Sequence, residues 1–487
     1  MTKKLNELLT DIDIIEIIGD TDKNIRSLES DSRKVEKDGI FVAVKGVSTD
    51  GHKYIPVVSS ANVAAVVCEE MPSVLDNGVT YIKVEDSAKA LGQLASAWFG
   101  HPSRHLTLVG VTGTNGKTTT ATLLYEMARL EGYKAGLLST VCNYIGDRQV
   151  PSTHTTPDPI SLNRLLAEMV DEGCTFAFME VSSHSTSQKR VAGLSFAGGI
   201  FSNLTRDHLD YHGTVDNYMK AKKAFFDMLD KDAFALINID DKSGRFMVQN
   251  TKAKVYTYSL RSDADFRGKV IETRLDGTLL QLNGHEVEVM FTGRFNAYNL
   301  TAVYGASVLC GFNPEDVLVN MSRLVPVAGR FQPFVSKEGI AAIVDYAHTP
   351  DALVNVLDTI RDIVGQNGKI ITVVGAGGNR DAGKRPIMAQ EAACRSDILI
   401  LTSDNPRFEN PEDIIAQMAA GLSSEELSRT EKITDRRDAI RRAIEIATPG
   451  TVVLVAGKGH ETYQETQGVR AHFDDAEEVK KVLDKCF

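Results

Sequence analysis

A glycine-rich turn between an apolar strand and a helix constrains the fold of this 487-residue chain more than any other feature. The turn, Gly113–Thr119 with the sequence GTNGKTT, follows the apolar run 106–111 and opens a helical pattern over 117–130. Main-chain N–H groups in such a turn, with the positive end of the helix, suit a polyphosphate. We therefore expect Lys117 to reach the outer phosphates of a nucleotide and the Thr118 hydroxyl to coordinate Mg²⁺.

The turn departs from the strict pattern G-x-x-x-x-G-K-[ST], because Val111 occupies the position of the first glycine. A glycine-rich turn that binds nothing is the alternative. The Gly-Lys-Thr-Thr sequence at a strand-to-helix junction favours nucleotide binding. The motif indicates a phosphate site without identifying a reaction.

The alternation of strands and helices divides the chain into three blocks, 1–105, 106–333 and 334–487, and predicts an α/β fold. We expect a small N-terminal α/β domain, a central phosphate-loop domain whose mostly parallel sheet has helices on both faces, and a C-terminal Rossmann-like domain. The segment 101–103, His-Pro-Ser, is interpreted as a linker. Two Asx-Gly pairs within 266–292 predict two hairpins in the central domain.

Composition narrows the classes of function. The chain has 54 basic and 65 acidic side chains, a net charge of −11, which argues against non-specific binding to nucleic acid or to anionic membranes. Its six cysteines are scattered singly, as in proteins of a reducing compartment. Residues 1–18 lack the apolar core of a signal peptide, and no apolar run is long enough to span a bilayer. We expect a cytoplasmic protein.

Polar residues follow two further strands of the central block. Glu180 ends a buried strand, where a carboxylate could hold Mg²⁺ or simply be solvated. The segment 203–213 then contains two histidines and two aspartates within six positions. A zinc hydrolase site is the alternative for that segment, although it has no His-Glu-x-x-His helix and no nearby cysteine. A phosphate loop beside a carboxylate favours Mg²⁺.

Three strand ends of the C-terminal block also carry polar loops. Arg380, Lys384 and Arg385 form a basic loop that suits an anionic substrate. The turn 403–407 ends in Arg407, which could hold a carboxylate through two parallel hydrogen bonds. With the glycine-rich segment 457–461, these loops predict a second binding crevice that faces the nucleotide domain.

In their order along the chain, these motifs resemble those of the Mur ligases of peptidoglycan synthesis, the MurE type above all. The motifs are Gly-Thr-Asn-Gly-Lys-Thr, Glu-Val-Ser-Ser-His, Asp-His-Leu-Asp-Tyr-His-Gly, Asp-Tyr-Ala-His-Thr-Pro and Gly-Lys-Gly-His-Glu. The resemblance covers all three blocks. It implies a monomeric, Mg²⁺-dependent ligase that uses ATP to add meso-2,6-diaminopimelate to UDP-N-acetylmuramoyl-L-alanyl-D-glutamate through an acyl phosphate.

The resemblance also implies roles for individual residues. ATP contacts are implied at Gly113, Thr114, Asn115, Gly116, Lys117, Thr118, Thr119, Asn296, Arg330, Asp345 and His348. The UDP-muramoyl dipeptide would contact Ser32, with the neighbouring loop 46–48, and Thr155, Thr156, Ser182, Gln188 and Arg190. Diaminopimelate would contact Arg380, Asp404, Asn405, Pro406, Arg407, Gly457 and Glu461. The implied metal ligands are Thr118, Glu180, His208 and a carbamylated Lys222, and the implied catalytic residues are Lys117, Glu180, His208 and Lys222.

Other readings remain open at this point. The nearest alternative is the same ligase adding L-lysine, although lysine-adding relatives usually lack the arginine of the Asp-Asn-Pro-Arg turn. Folylpolyglutamate synthases share the phosphate loop, but the N-terminal and substrate segments resemble theirs less well. A nucleotide-switch ATPase would need no acceptor site, and a zinc-dependent hydrolase would hold a different metal.

Overall fold

The computed structural model describes residues 2–46, 49–152, 155–336 and 338–486. Within them, three large β-sheets follow one another along the chain, each with helices packed on it. No helix of the described residues is long and apolar enough to cross a membrane. The α/β fold class predicted from the sequence is confirmed.

The N-terminal part is built on a five-stranded sheet with the order β2-β7-β6-β5-β4. Its strands are β1 Lys3–Lys4, β2 Ile14–Ile18, β3 Asn24–Ile25, β4 Leu28–Glu29, β5 Ile40–Val42, β6 Ala65–Cys68 and β7 Thr80–Val84. Its helices are α1 Leu5–Leu8, α2 Ile55–Ser60 and α3 Ser87–Trp98, with 3₁₀ turns at Gly51–Tyr54 and Pro102–His105. Strands β1 and β3 form a separate antiparallel pair.

The central part contains eleven strands in the order β11-β10-β9-β12-β8-β13-β14-β15-β16-β17-β18. The strands are β8 Thr107–Thr112, β9 Ala135–Leu138, β10 Asn143–Ile145, β11 Arg148–Val150, β12 Phe176–Glu180, β13 Gly198–Phe201, β14 Phe234–Asn238, β15 Lys254–Ser259, β16 Phe266–Arg274, β17 Gly277–Leu282 and β18 His285–Val289. The helices are α4 Lys117–Leu130, α5 Pro159–Asp171, α6 Ser183–Ser187, α7 Leu209–His212, α8 Val215–Asp227, α9 Gly244–Met247, α10 Arg294–Leu309 and α11 Pro314–Met321.

Successive side chains of β8 point to opposite faces of the sheet, and both faces are covered by helices. Val109 and Val111 join the core under α4 and α10, whereas Leu108 joins the core under α5 and α8. A strand that is buried on both faces favours apolar residues at consecutive positions, which explains the run Leu-Val-Gly-Val at 108–111 in its centre. The strands from β9 through β12, β8, β13, β14 and β15 to β16 pair in parallel in that order. Antiparallel strands, β10 and β11 at one end and β17 and β18 at the other, complete the sheet.

The C-terminal part has a six-stranded sheet with the order β19-β20-β24-β21-β22-β23. Its strands are β19 Gln332–Val335, β20 Ala341–Asp345, β21 Lys369–Val374, β22 Ile398–Leu401, β23 Thr430–Lys432 and β24 Thr451–Ala456, followed by the hairpin strands β25 Tyr463–Thr466 and β26 Val469–His472. Its helices are α12 Pro350–Val364, α13 Lys384–Arg395, α14 Pro411–Ala419, α15 Ser424–Ser428, α16 Arg436–Glu445 and α17 Asp475–Cys486. All pairs except β19–β20 are parallel within the sheet.

The structure refines several details of the predicted elements. The helix expected over 117–130 has those limits, and both hairpins expected within 266–292 are present. The segment 101–103, interpreted as a linker, instead leads into a 3₁₀ turn in which Pro102 and Ser103 are buried. The proposed boundary at 333/334 falls inside β19, so the third sheet begins at Gln332.

A fully buried ion pair joins the helices of the C-terminal part to the end of β24. Arg436, the first residue of α16, donates from Nε and Nη2 to the two carboxylate oxygens of Asp475 at 2.8 and 2.7 Å. Neither side chain is exposed (0%), and Nη2 also donates to the carbonyl of Ala456 at 2.9 Å. The pair fixes the strand end from which the segment 457–461 departs.

We expect the substitution Asp475→Ala to destabilise the C-terminal part by about 3–5 kcal/mol, because it leaves a buried guanidinium without a counter-ion. Hydrogen exchange of the β24 amides in urea would measure the loss. The matched control is Asp438→Ala, which removes an exposed partner of Arg441 on α16 and should change the unfolding free energy by at most about 1 kcal/mol. Equal protection of β24 in both variants would contradict the expectation.

Candidate active site

A cleft of about 1470 Å³ lies where the strand ends of the central sheet face those of the C-terminal sheet. The loops after β8, β12 and β13 form one wall, and the loops after β20, β21, β22 and β24 form the other. None of the described residues before Thr114 lines it. The carboxyl ends of parallel strands are the usual ligand sites of open α/β sheets, so both sheets present their binding edges to one space.

The phosphate loop needs glycine at both of its sharp turns. Gly113 and Gly116 have φ angles of +154° and +86°, and a Cβ at either position would collide with the side chain of Ser202 or of Asn299. Helix α4 starts directly after Gly116. The Lys117 ammonium donates to the carbonyl of Gly113 at 3.0 Å, so it lies over the loop where phosphates would enter.

The end of β12 lies beside the start of α4. The Thr118 hydroxyl donates to Glu180 Oε1 at 2.9 Å, and the main-chain N–H of Thr140 donates to the same oxygen at 2.7 Å. Glu180 is only 1% exposed, yet its carboxylate lines the cleft. The pair presents the hydroxyl and carboxylate oxygens that Mg²⁺ prefers.

The predicted metal ligands fit Mg²⁺ only in part. Thr118 and Glu180 are in contact, whereas the His208 imidazole pairs with Asp207 at 3.3 Å. Among the described residues, no group of three or more His, Cys, Asp or Glu side chains is arranged to hold a metal. Mg²⁺ is usually held by one or two carboxylates together with substrate phosphates, and Thr118 with Glu180 could form such a site.

Lys222 is buried against the phosphate loop. Its ammonium donates to the carbonyl of Gly113 at 2.6 Å and lies 4.6 Å from the centre of the Tyr218 ring. Burial, reinforced by the neighbouring charge of Lys117, lowers the pKa of Lys222 well below its ordinary value. An unmodified lysine offers only donors and cannot bind a cation, so the implied metal role depends on carbamylation.

Arg330 connects the two walls of the cleft. Its Nη2 donates to the Thr118 hydroxyl at 3.1 Å, and its guanidinium lies 4.5 Å from the centre of the Tyr346 ring. Tyr346 follows β20, whose last residue is Asp345. Burial raises the pKa of Asp345 to about 6, although Arg330 acts to lower it. Burial likewise lowers the pKa of His348 to about 4.

The residues implied for the muramoyl dipeptide form a connected network on the central wall. Thr156 donates from its hydroxyl to the carbonyl of Glu180 at 2.9 Å and lies 3.4 Å from the Ser182 hydroxyl. Arg190 donates to the carbonyl of Thr156 at 2.8 Å and to the side-chain oxygen of Gln188 at 2.6 Å. Gln188 does not line the cleft, and its side-chain oxygen accepts two hydrogen bonds from Arg190.

The opposite wall holds a polar cluster around the turn 403–407. Asn405 donates to Glu461 at 2.7 Å, and the buried Lys458 donates to the same carboxylate at 3.0 Å. Gly457 has a φ of +120°, and a Cβ there would lie 2.7 Å from Asp404 Oδ2. Glycine is therefore required at position 457, where the loop after β24 passes close to the loop after β22.

Arg407 is held in the left-handed region, with a φ of +51°. Its main-chain N–H donates to the carbonyl of Glu465 at 3.0 Å, and its carbonyl accepts from the N–H of Gln467 at 2.6 Å. The guanidinium donates to the carbonyl of Gly378 at 2.7 Å and lines the cleft. No ion pair to Arg407 exists among the described side chains.

The structure brings most of the predicted site residues to this cleft. Those that line it are Thr114, Asn115, Gly116, Lys117, Thr118, Thr119, Thr155, Thr156, Glu180, Ser182, Arg190, His208, Lys222, Arg330, Asp345, His348, Arg380, Asp404, Asn405, Arg407, Gly457 and Glu461. Those outside its lining are Ser32, Gly113, Gln188, Asn296 and Pro406. Ser32 lies on the N-terminal part, and Val47 and Ser48 of the loop 46–48 lie outside the described residues.

The contacts of Arg385 and Asn296 differ from those expected from the sequence. Arg385, expected in a basic loop for a substrate, is buried and donates to Glu409 and Gln417, so it stabilises the fold. Asn296 is buried and bonds to the carbonyl of Thr292 at 2.9 Å. The side chain that reaches the cleft is Asn299, one turn further along α10.

Sequence reasoning missed several lining residues. Tyr298 donates to Asp240 Oδ2 at 2.8 Å beside the phosphate loop, and Tyr346 stacks between Arg330 and His460. The sequence did contain a pointer to Tyr346 and His460, since they lie in the motifs Asp-Tyr-Ala-His-Thr-Pro and Gly-Lys-Gly-His-Glu. Tyr298 and Asp240 have no local motif, and only the packing of α10 against β14 brings them together.

The sequence matches three successive families. They are the Mur ligase family, catalytic domain, over residues 24–99; the Mur ligase middle domain over 111–307; and the Mur ligase, glutamate ligase domain over 329–459. A Bacteroides fragilis protein named UDP-N-acetylmuramoyl-L-alanyl-D-glutamate--2,6-diaminopimelate ligase is 60% identical over 480 residues, 99% of each chain.

A protein of the same name from Cytophaga hutchinsonii is 54% identical over 482 residues, again 99% of each chain. A solved structure of a ligase so named superimposes with a TM-score of 0.71 at 34% identity, covering 100% of this chain and 99% of the other. These matches extend through all three sheets. The chain belongs to the Mur ligase family.

Proposed function

We propose that the chain is the ATP-dependent ligase that adds meso-2,6-diaminopimelate to UDP-N-acetylmuramoyl-L-alanyl-D-glutamate. The observation that carries the proposal is one cleft with a phosphate loop on one wall and, on the other, the Arg407 guanidinium and the Glu461 carboxylate. The first wall suits ATP and a muramoyl carboxylate. The second suits an amino acid with a carboxylate and an amine at its far end.

The reaction has two steps. A carboxylate oxygen of the D-glutamyl residue attacks the γ-phosphorus of ATP, forming a C–O–P linkage while the bond to the β–γ bridging oxygen breaks and ADP leaves with its electron pair. The amine of diaminopimelate then attacks the activated carbonyl carbon. A C–N bond forms, inorganic phosphate leaves, and the nitrogen gives up its proton to solvent or a nearby base.

The charges of the cleft serve the first step. A carboxylate and a polyphosphate repel each other, and Lys117 and Arg330 lie where their positive charges reduce that repulsion. Thr118 and Glu180 would hold Mg²⁺, which would neutralise phosphate charge. Because the two walls come from different sheets, closing one on the other would exclude water from the acyl phosphate.

The test of the proposal is phosphate release from ATP and Mg²⁺ with the UDP-muramoyl dipeptide and one of three additions: meso-diaminopimelate, L-lysine or no amino acid. We expect release that needs both the nucleotide sugar and diaminopimelate. Equal or faster release with lysine would keep the ligase and overturn the acceptor assignment. Release that is independent of any acceptor would favour a nucleotide switch instead.

The substitution Arg407→Ala is expected to reduce kcat/KM for diaminopimelate by about thirty-fold to several thousand-fold, because it removes the partner of the distal carboxylate. KM for ATP should stay unchanged. The matched control is Arg441→Ala, an exposed arginine on α16. Steady-state kinetics with diaminopimelate varied would check this, and unchanged diaminopimelate kinetics would refute the assigned role.

Lys222→Met is expected to lower ligase activity by about 100-fold or more, because only a carbamylated lysine presents oxygens to Mg²⁺. The lowered pKa of Lys222 favours that modification, since the neutral amine is the form that reacts with CO₂. A carbamate signal from ¹³C-bicarbonate in wild-type protein, lost in the variant, would be the direct measurement. Lys223→Met is the control and should keep both activity and signal. Full activity of Lys222→Met would rule the role out.

A further inference from the structure

We propose that Lys384 of the C-terminal part contacts the phosphoryl group as it passes from ATP to the D-glutamyl carboxylate. The inference depends on the proposed ligase reaction and adds a residue to it. Lys384 would supply positive charge from the wall opposite Lys117, so that cations on both sides of the cleft flank the transferring group.

The position of Lys384 places its charge in the cleft. It is the first residue of α13 and lines the cleft at the carboxyl end of β21. Its ammonium donates to the carbonyl of His348 at 2.9 Å. Among the described side chains, no carboxylate lies within ion-pair distance of it. A partly buried ammonium held only by a neutral carbonyl keeps its charge for an anion.

A chain of contacts ties Lys384 to the phosphate loop. The His348 ring lies 4.6 Å from the Tyr346 ring, measured between centroids. Tyr346 in turn stacks on Arg330, whose Nη2 donates to the Thr118 hydroxyl at 3.1 Å. Through the main chain of His348, Lys384 is therefore connected to the contacts that reach the first turn of α4.

Asp207 also lines the cleft, on the central wall, where the His208 imidazole lies 3.3 Å from its carboxylate. Lys117 lines the cleft from the same wall and Lys384 from the other. An anion bound between the two walls would therefore meet positive charge from both sides.

Lys384 is held apart from the arginine assigned to the acceptor. Arg407 donates to the carbonyl of Gly378, in the loop after β21, whereas Lys384 donates to that of His348, in the loop after β20. Burial lowers the pKa of Lys384, and the carboxylates of Asp207, Asp404 and Asp381 act to raise it.

The first step can be measured alone. Without diaminopimelate, reversible transfer of the γ-phosphoryl group to the dipeptide carboxylate frees the β-phosphate of ADP to rotate. An ¹⁸O label in the β–γ bridge of ATP then moves to non-bridging β positions. We expect Lys384→Met to slow this exchange by about 100-fold and Lys384→Arg to restore it to within about ten-fold of wild type. KM for diaminopimelate should change little.

Lys369→Met, at an exposed lysine that starts β21, is the matched control and should exchange label at the wild-type rate. Unchanged exchange in Lys384→Met with a raised KM for diaminopimelate would overturn the proposal and assign Lys384 to the acceptor. A loss that Lys384→Arg does not restore, with both variants melting at the wild-type temperature, would also overturn it. Wild-type protein with neither exchange nor diaminopimelate-dependent phosphate release would instead refute the ligase function.

Discussion

The hydrogen bond from Arg330 to the Thr118 hydroxyl is the contact on which the arrangement of the cleft depends. It joins the segment before the C-terminal sheet to the first turn of the phosphate-loop helix. Behind it, Tyr346 stacks on the guanidinium, and Thr118 reaches the buried carboxylate of Glu180. Two sheets formed by successive parts of the chain thus meet at one polar centre.

Four cations of the cleft share one kind of partner, a main-chain carbonyl. Lys117 and Lys222 donate to the carbonyl of Gly113, Lys384 to that of His348 and Arg407 to that of Gly378. Carbonyl oxygens satisfy the donors without cancelling the charge. Where an arginine stabilises the fold, as in the Arg436–Asp475 pair, its partner is a carboxylate. We infer that these four charges serve ligands, whereas the charge of Arg436 serves stability.

Local patterns predicted the fold and much of the site because each depends on few neighbouring residues. The limits of α4, the two hairpins and the strand-end motifs all follow from short runs of sequence. Arg385 was misjudged because its partners Glu409 and Gln417 come from a later loop and helix. Asn299 was not predicted because the orientation of α10 about its axis decides whether Asn296 or Asn299 faces the cleft. A sequence motif does not contain that orientation.

The left-handed conformation of Arg407 has a consequence for how selectivity can change. A non-glycine residue at positive φ is costly by itself, so the backbone hydrogen bonds from the β25–β26 hairpin have to sustain it. The hairpin side also holds Asn405, through the N–H of Glu465 at 2.9 Å. The turn therefore depends on the hairpin for its conformation. Grafting the four-residue turn alone onto a lysine-adding relative would transfer its residues without the hydrogen bonds that hold Arg407 at positive φ.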